Sequence, residues 1–381
     1  MLKIMPFIFT IFILIVIHPL KGSQFDFDKA RIKTKLISFE VTNFSDGYDI
    51  PWGMAFLPDH RMLVTDISGK MWLLSKDGKI KSNIKGIPQV FFHGQGGLLD
   101  VEVHPDFLNN SLVYISYSEK LKKNKHHTTI IRGKLLKNKL TKIENIFRAK
   151  KSSFSRTSHH YGSRIVFDNN RFLYFSIGDR GFKDQAQDLT SPSGKIHRVL
   201  DNGKIPLDNP FIDFENAYQS IWTYGNRNPQ GLAKHPKTGA IWESEHGPRG
   251  GDELNIIQKG HNYGWPIITY GTNYDGSKIT DLKIKDGMDQ PIVQWTPSIA
   301  VCGIKFYTGK PFNVWQNNIL VTSLKFEQLR RLVIANNEKI EEEIIFESGS
   351  RIRDVEIGPD GLIYLALENP GRIVKLSPVE E

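Results

Sequence analysis

The sequence predicts an all-β chain folded as a six-bladed β-propeller of four-stranded antiparallel blades, and three observations carry that expectation. The same phrase recurs six times, an apolar strand, a turn and a second strand, over 51–74, 98–119, 162–181, 229–247, 301–325 and 352–376. Apolar residues alternate inside the copies, as in Val101 and Val103 or Ile304 and Phe306, which is the period of a half-buried strand. Turn chemistry punctuates them, with Pro58-Asp59, Pro105-Asp106, Pro236 to Gly239 and Pro359-Asp360-Gly361, because Pro pre-sets φ and Gly tolerates positive φ. One such unit cannot bury its own faces, whereas six stacked around an axis can.

Taken in order, the first four copies each supply an inner strand and its hairpin partner, and the segments 182–220 and 248–300 read as the largest insertions. The fifth copy continues through LRRLVIA and EEEIIFE. The sixth offers only three strands, IRDVEI, LIYLAL and RIVKLS. A ring must close to hide its edges, so residues 35–44 are expected to supply the outer strand of the last blade. The content of 23 Phe, 12 Tyr and 7 Trp suits strands and provides a large core.

Residues 1–23 have the layout of a secretory signal peptide, with Lys3, an apolar stretch from Phe7 to Ile17 and Gly22-Ser23. The expected mature unit is a single propeller over 24–381, exported to the periplasm or secreted, with no stable membrane insertion once the signal is cleaved. A single cysteine, Cys302, excludes an intramolecular disulfide and a c-type haem site. It falls in an expected strand, as a buried inert thiol away from any site. The charge of +9 comes from lysines scattered through turns, with one dense run at Lys120 to Lys125. That distribution argues against nucleic-acid binding.

Loops beside strand ends hold the candidate chemistry. His160 precedes an expected strand in SHHYGSR, where a histidine can serve as a proton acceptor or as a hydrogen-bonding residue. Arg227 and Asn228 lie in YGNRNPQGL, where a guanidinium can grip a carboxylate or tie two loops together. The loop EHGPRGGDELN, with Asp252 and Glu253, offers carboxylates and exposed carbonyls, the hard oxygen ligands calcium prefers. Lys325, Arg351, Arg353 and the amide of Gln95 complete the set. On a propeller these loops meet at one face, which describes a pocket for a polyanion with a proton acceptor beside it. Nucleotide-binding glycine motifs and the nucleophile elbow G-x-S-x-G are absent.

From about residue 45 to 377 the chain resembles the soluble pyrroloquinoline quinone (PQQ)-dependent sugar dehydrogenases, and within them the aldose sugar dehydrogenase branch. The motifs that carry the likeness are PWGMAFLPD, GQGGLLDV, HYGSRIVF, SIGDRG, YGNRNPQGLA, EHGPRGGDELN, NYGWP and RIRDVEIGPDG. The resemblance implies oxidation of aldose sugars at the C1 hydroxyl to lactones, with PQQ and calcium as cofactors and an external electron acceptor. It implies His160 as catalytic base and Arg227 as stabiliser of charge at the reacting oxygen. Gln95, Arg227, Asn228, Tyr274, Lys325, Arg351 and Arg353 would hold the quinone. Gly247 and Pro248 would give carbonyls to the active-site calcium, and Glu253 and Tyr263 would belong to a further calcium site. A calcium-dependent lactonase and a non-catalytic binding propeller are the competing readings, since the fold serves both.

Overall fold

The computed structural model describes residues 28–379, so the signal-peptide reading of 1–23 lies outside the described residues. Six antiparallel sheets follow one another along the chain. The innermost strands are Pro51–Phe56, Leu98–Val103, Ile165–Phe167, Pro229–Lys234, Val301–Phe306 and Ile352–Ile357. Each opens one of the six repeated phrases, and each is followed outward by its hairpin partners. The expected propeller is the observed one.

Ring closure departs from expectation in one detail. Strand Ser38–Tyr48 pairs with Gly371–Pro378, with Val41 opposite Leu376 and Phe39 opposite Pro378. It is the fourth strand of the last blade but not the outermost. Asp28–Lys33 adds a fifth, because the chain reverses at Thr34, whose amide and hydroxyl both donate to the Ile37 carbonyl at 3.1 and 2.7 Å. The extra strand covers an edge that would otherwise invite pairing with another chain. Phe39 on the closing strand packs edge-on to Phe312 and Trp315 at 6.0 and 6.1 Å, so closure also joins the fifth blade to the sixth through a buried apolar cluster.

Of the two segments read as insertions, 182–220 conceals the strand Lys195–Val199 of the third blade, and 248–300 conceals two strands of the fourth, Val293–Trp295 being the outer one. The third strand of the fourth blade is Asp252–Ile256.

The ring axis is charged. Arg164, at the start of the third blade, sends its guanidinium across the centre to Asp100 at 3.0 Å and Asp354 at 2.9 Å. The same group donates to the backbone carbonyls of Gln230 at 2.8 Å and Arg353 at 2.9 Å. One side chain therefore joins four inner strands or their approaches, and its buried charge is partnered by two carboxylates, as burial demands. Arg164 is thus a structural pin, and the loops entering the inner strands are held at fixed positions around it.

Candidate active site

His160 sits on the loop that enters the third blade with φ of 55°, a left-handed conformation uncommon for a side-chain-bearing residue. Two contacts hold it there. Its backbone N–H donates to Gln95 Oε1 at 2.8 Å, and the loop lies so close to Gly178 that a Cβ there would meet the His160 carbonyl oxygen at 2.4 Å and Asn228 Oδ1 at 2.8 Å. The imidazole Nδ1 lies 2.6 Å from Asp179 Oδ1. With Asp179 as the acceptor, Nδ1 carries the proton and Nε2 presents a lone pair. Asp179 is itself fixed, taking the Gly181 N–H at 2.7 Å and the Trp265 indole N–H at 2.9 Å.

Electrostatics keep the His160 imidazole neutral. Burial lowers the His160 pKa to about 4; the Asp179 hydrogen bond opposes that shift and the nearby Arg227 charge adds to it. Burial also works against charge on Asp179, but the bond from His160 and the Arg227 cation outweigh it and hold the carboxyl below its ordinary range.

Arg227 is buried over the Trp265 ring, 5.3 Å from its centre. Its Nη1 donates to the carbonyls of His246 at 3.0 Å and Gly247 at 2.8 Å. The Gly247 carbonyl, expected as a calcium ligand, thus already shares one lone pair with a guanidinium. Gly247 has no room for a side chain, since a Cβ would come within 2.3 Å of the Gly250 and Gly251 carbonyl oxygens. The Asp252 carboxylate is taken up by donors of the protein itself. It accepts from Gly247 N–H at 2.9 Å, Val301 N–H at 3.1 Å and the Ser298 hydroxyl at 2.8 Å, and so holds the glycine loop in shape.

A cavity of about 340 Å³ opens at this end of the axis, walled by Trp52, Gln95, Asn228, Tyr274, Arg351 and Arg353 among others. A neighbouring cleft of about 780 Å³ shares His246, Tyr274 and Ala300 with it and adds Gly247, Pro248 and Lys325. The structure therefore gathers Gln95, Asn228, Tyr274, Lys325, Arg351, Arg353, Gly247 and Pro248 around two adjoining cavities, with His160 and Arg227 bonded to their walls. Tyr274 stands 74% exposed.

Glu253, half-buried, lies apart from these cavities and beside the buried Glu243 and Glu245. Burial raises all three, with Glu245 pushed to about 7, and the neighbouring carboxylates push Glu243 and Glu253 up further. Glu243 Oε2 and Asn255 Oδ1 are buried with no donor to satisfy them. Tyr263 does not bring its hydroxyl to Glu253. That oxygen donates to the Ile256 carbonyl at 2.6 Å and accepts from Gln258 N–H at 2.9 Å, leaving the backbone carbonyl as the group it can offer a metal. Among the described residues no three His, Cys, Asp or Glu side chains form a ready-made metal cage.

The family model for glucose/sorbosone dehydrogenases matches residues 48–375. The chain belongs to that family. It is 43% identical over 348 residues to the aldose sugar dehydrogenase YliI of Escherichia coli (strain K12), covering 89% of this chain and 92% of that one. It is 28% identical over 441 residues to quinoprotein glucose dehydrogenase B of Acinetobacter calcoaceticus, covering 94% and 90% of the two chains. Among solved structures, the apo form of the soluble E. coli aldose sugar dehydrogenase superposes with a TM-score of 0.86 at 40% identity, covering 90% of this chain and all of that one. The PQQ-bound aldose sugar dehydrogenase of Streptomyces coelicolor superposes with a TM-score of 0.71 at 25% identity, covering 90% and 98%. This protein is accordingly a sugar-oxidising dehydrogenase.

Three functional neighbours of this dehydrogenase's site escaped the sequence reading. Asp179, the partner of His160, lies within SIGDRG, a segment whose polar end after an apolar strand was the available signal. Glu368 takes Arg353 Nε at 2.9 Å and Arg351 Nε at 3.2 Å, so both arginines do face one direction but meet a protein carboxylate there. Cys302, expected away from the site, has its sulfur 3.6 Å from Arg353 Nη1 and 3.9 Å from Gln230 Oε1. It lies at the start of inner strand Val301–Phe306, beside the cavity-lining Arg353, which local sequence does not reveal.

Proposed function

We propose that the protein oxidises the C1 hydroxyl of aldose sugars to lactones, using PQQ and calcium, and passes the electrons to an external acceptor. The observation that carries this reading is the pair formed by His160 and Asp179 beside Arg227, a neutral base held at the rim of a cation-lined cavity. Relatives named as a quinoprotein and as a PQQ-bound dehydrogenase support the choice of cofactor.

The residues present fit both groups. Lys325, Arg351 and Arg353 offer a tricarboxylate three cations, of which Glu368 neutralises one. Gly247 and Pro248 offer carbonyl oxygens beside them. The unsatisfied Glu243 and Asn255 oxygens next to Glu253 are acceptors without donors, the condition a bound cation relieves. When bound, the quinone would accept the sugar's hydride and calcium would polarise the accepting carbonyl.

The chain's own contribution is proton handling and charge placement. His160 Nε2 takes the hydroxyl proton, and Asp179 fixes the tautomer and steadies the imidazolium that results. Arg227 places a fixed positive charge where oxygen gains electron density. Trp265 covers Arg227 and holds Asp179, keeping water from both.

The test is reconstitution of purified protein with PQQ and calcium, followed by dye reduction across a panel of aldoses. Equal sugar oxidation without added quinone refutes the assignment. We further propose that residues 1–23 direct export, which N-terminal sequencing of the mature protein checks. No helix among the described residues is long and apolar enough to cross a membrane.

A further inference from the structure

The one dense run of lysines in the sequence belongs to the active-site face. Residues 121–125 form the turn between strands Leu112–Lys120 and His126–Leu136, with Lys122, Lys123 and Lys125 exposed. Beside it runs the loop that leads to His160, which begins with the exposed Lys150 and Lys151 and carries the exposed Arg156. The two are joined by the Arg156 Nε bond to the Lys123 carbonyl at 3.1 Å and by the His126 N–H bond to the Ser155 carbonyl at 2.7 Å. Ser158 on the same loop accepts the Gln95 N–H at 2.8 Å. The cations therefore stand on two joined loops, one of which is bonded to the cavity-lining Gln95 and leads to His160.

These charges are unmatched. Neither 120–125 nor 149–160 contains an Asp or Glu, and among the described residues none of the six cations forms an ion pair. Elsewhere on this blade charges are paired, with Arg148 on Glu119 at 2.7 Å and Arg132 on Glu144 at 2.8 Å. Phe92, 55% exposed, projects from the adjoining loop. It gives this charged rim one exposed aromatic ring, the residue class enriched at protein interfaces. The rim lacks the apolar helix face that membrane association uses.

We infer that this rim is the docking surface for an acidic electron-carrying protein. The inference rests on the dehydrogenase reading for its purpose. Oxidation of one hydroxyl to a carbonyl releases two electrons and two protons; two one-electron haem carriers would take an electron each, and the protons pass to solvent. Concentrated positive charge at the mouth raises the encounter rate with an acidic carrier and disfavours a basic one.

The experiment uses one carrier in two charge states: basic mitochondrial-type cytochrome c, and the same protein succinylated on its lysines to make it acidic. Sugar-dependent haem reduction by reconstituted enzyme is expected to be about tenfold faster with the acidic form at low ionic strength, and to slow as salt shortens the screening length. A Lys122→Glu, Lys123→Glu, Lys125→Glu variant should lose that preference while reducing a small neutral dye at the wild-type rate. Calorimetric binding of oxidised acidic cytochrome to quinone-free protein gives a readout independent of turnover. Preferential, lysine-dependent binding with no dye reduction would place the fault in the dehydrogenase reading and support the docking surface. Equal binding of the two cytochromes, or a variant that keeps the preference, overturns the docking surface. Lysine-dependent sedimentation with phosphatidylglycerol vesicles, without binding of acidic cytochrome, also overturns it and assigns the rim to a membrane.

Discussion

Asp179 holds the imidazole of His160 at 2.6 Å through one carboxylate oxygen and the indole of Trp265 at 2.9 Å through the other. The imidazole is thereby fixed in one tautomer by a residue that is itself fixed from the opposite side. Asp179→Asn keeps the shape but can present an amide N–H to Nδ1, which favours the tautomer with its proton on Nε2. Turnover should fall by about 10²- to 10⁴-fold, the usual worth of a positioned base. Quinone affinity, followed by absorbance titration, should stay at the wild-type value. A loss confined to quinone binding would place Asp179 in cofactor binding alone.

The pH dependence follows from the direction of the His160 shift. Burial brings its pKa from the ordinary 6.5 to about 4, so the folded chain binds fewer protons than the unfolded chain between those values. The resulting stability is present above pH 6.5 and is lost as pH falls toward 4. The rate constant kcat/KM should likewise hold level below pH 6.5 and drop only near pH 4. An acid limb centred at 6.5 in wild type would show an imidazole exposed to solvent.

Calcium should stabilise the protein independently of the quinone. Two buried carboxyls, Glu243 and Glu245, share one region with the half-buried Glu253, and two acceptor oxygens there have no donor. Binding to the folded form alone contributes roughly 2.7 kcal/mol at a hundredfold excess over Kd, so Tm should rise on titration with calcium. Glu253→Gln together with Glu243→Gln should abolish most of that rise. An unchanged calcium response in the double variant would move the stabilising ion elsewhere.

Arg353 has a structural and a binding contribution that separate experimentally. Its removal leaves Glu368, whose side chain is 5% exposed, with Arg351 as the remaining cation. Arg353→Ala should therefore destabilise by about 3 kcal/mol, as for other broken buried pairs. It should also weaken quinone binding by about one to two powers of ten. The double change Arg353→Met, Glu368→Leu should recover Tm but not affinity. Recovery of both would remove Arg353 from the cofactor pocket.

Much of this was legible in the chain because a propeller repeats its local rules. Alternation and turn residues marked all six inner strands, and the three-strand sixth phrase implied closure by an N-terminal strand. The cations Arg227, Lys325, Arg351 and Arg353 stood at equivalent loop positions, so their convergence followed from the ring. Lys195–Val199 stayed hidden because its register is set by neighbours and its polar Lys195 is buried by three backbone carbonyls, at 2.7, 3.0 and 2.8 Å. Asp179 and Glu368 went unassigned, and Cys302 was expected away from the site, for a related reason. Their partners lie in other parts of the chain, and no local spacing encodes that proximity.

The seam between Ser38–Tyr48 and Gly371–Pro378 also bears on how the molecule is made. A strand near the start of the described chain must wait, unpaired along that edge, until almost everything after it has emerged from the ribosome. The first five blades can assemble as they appear, but the circle stays open, and two sticky edges persist, until the final partner arrives. Substitutions that speed or slow this last pairing should therefore change the yield of usable protein far more than the specific activity of the molecules that do close.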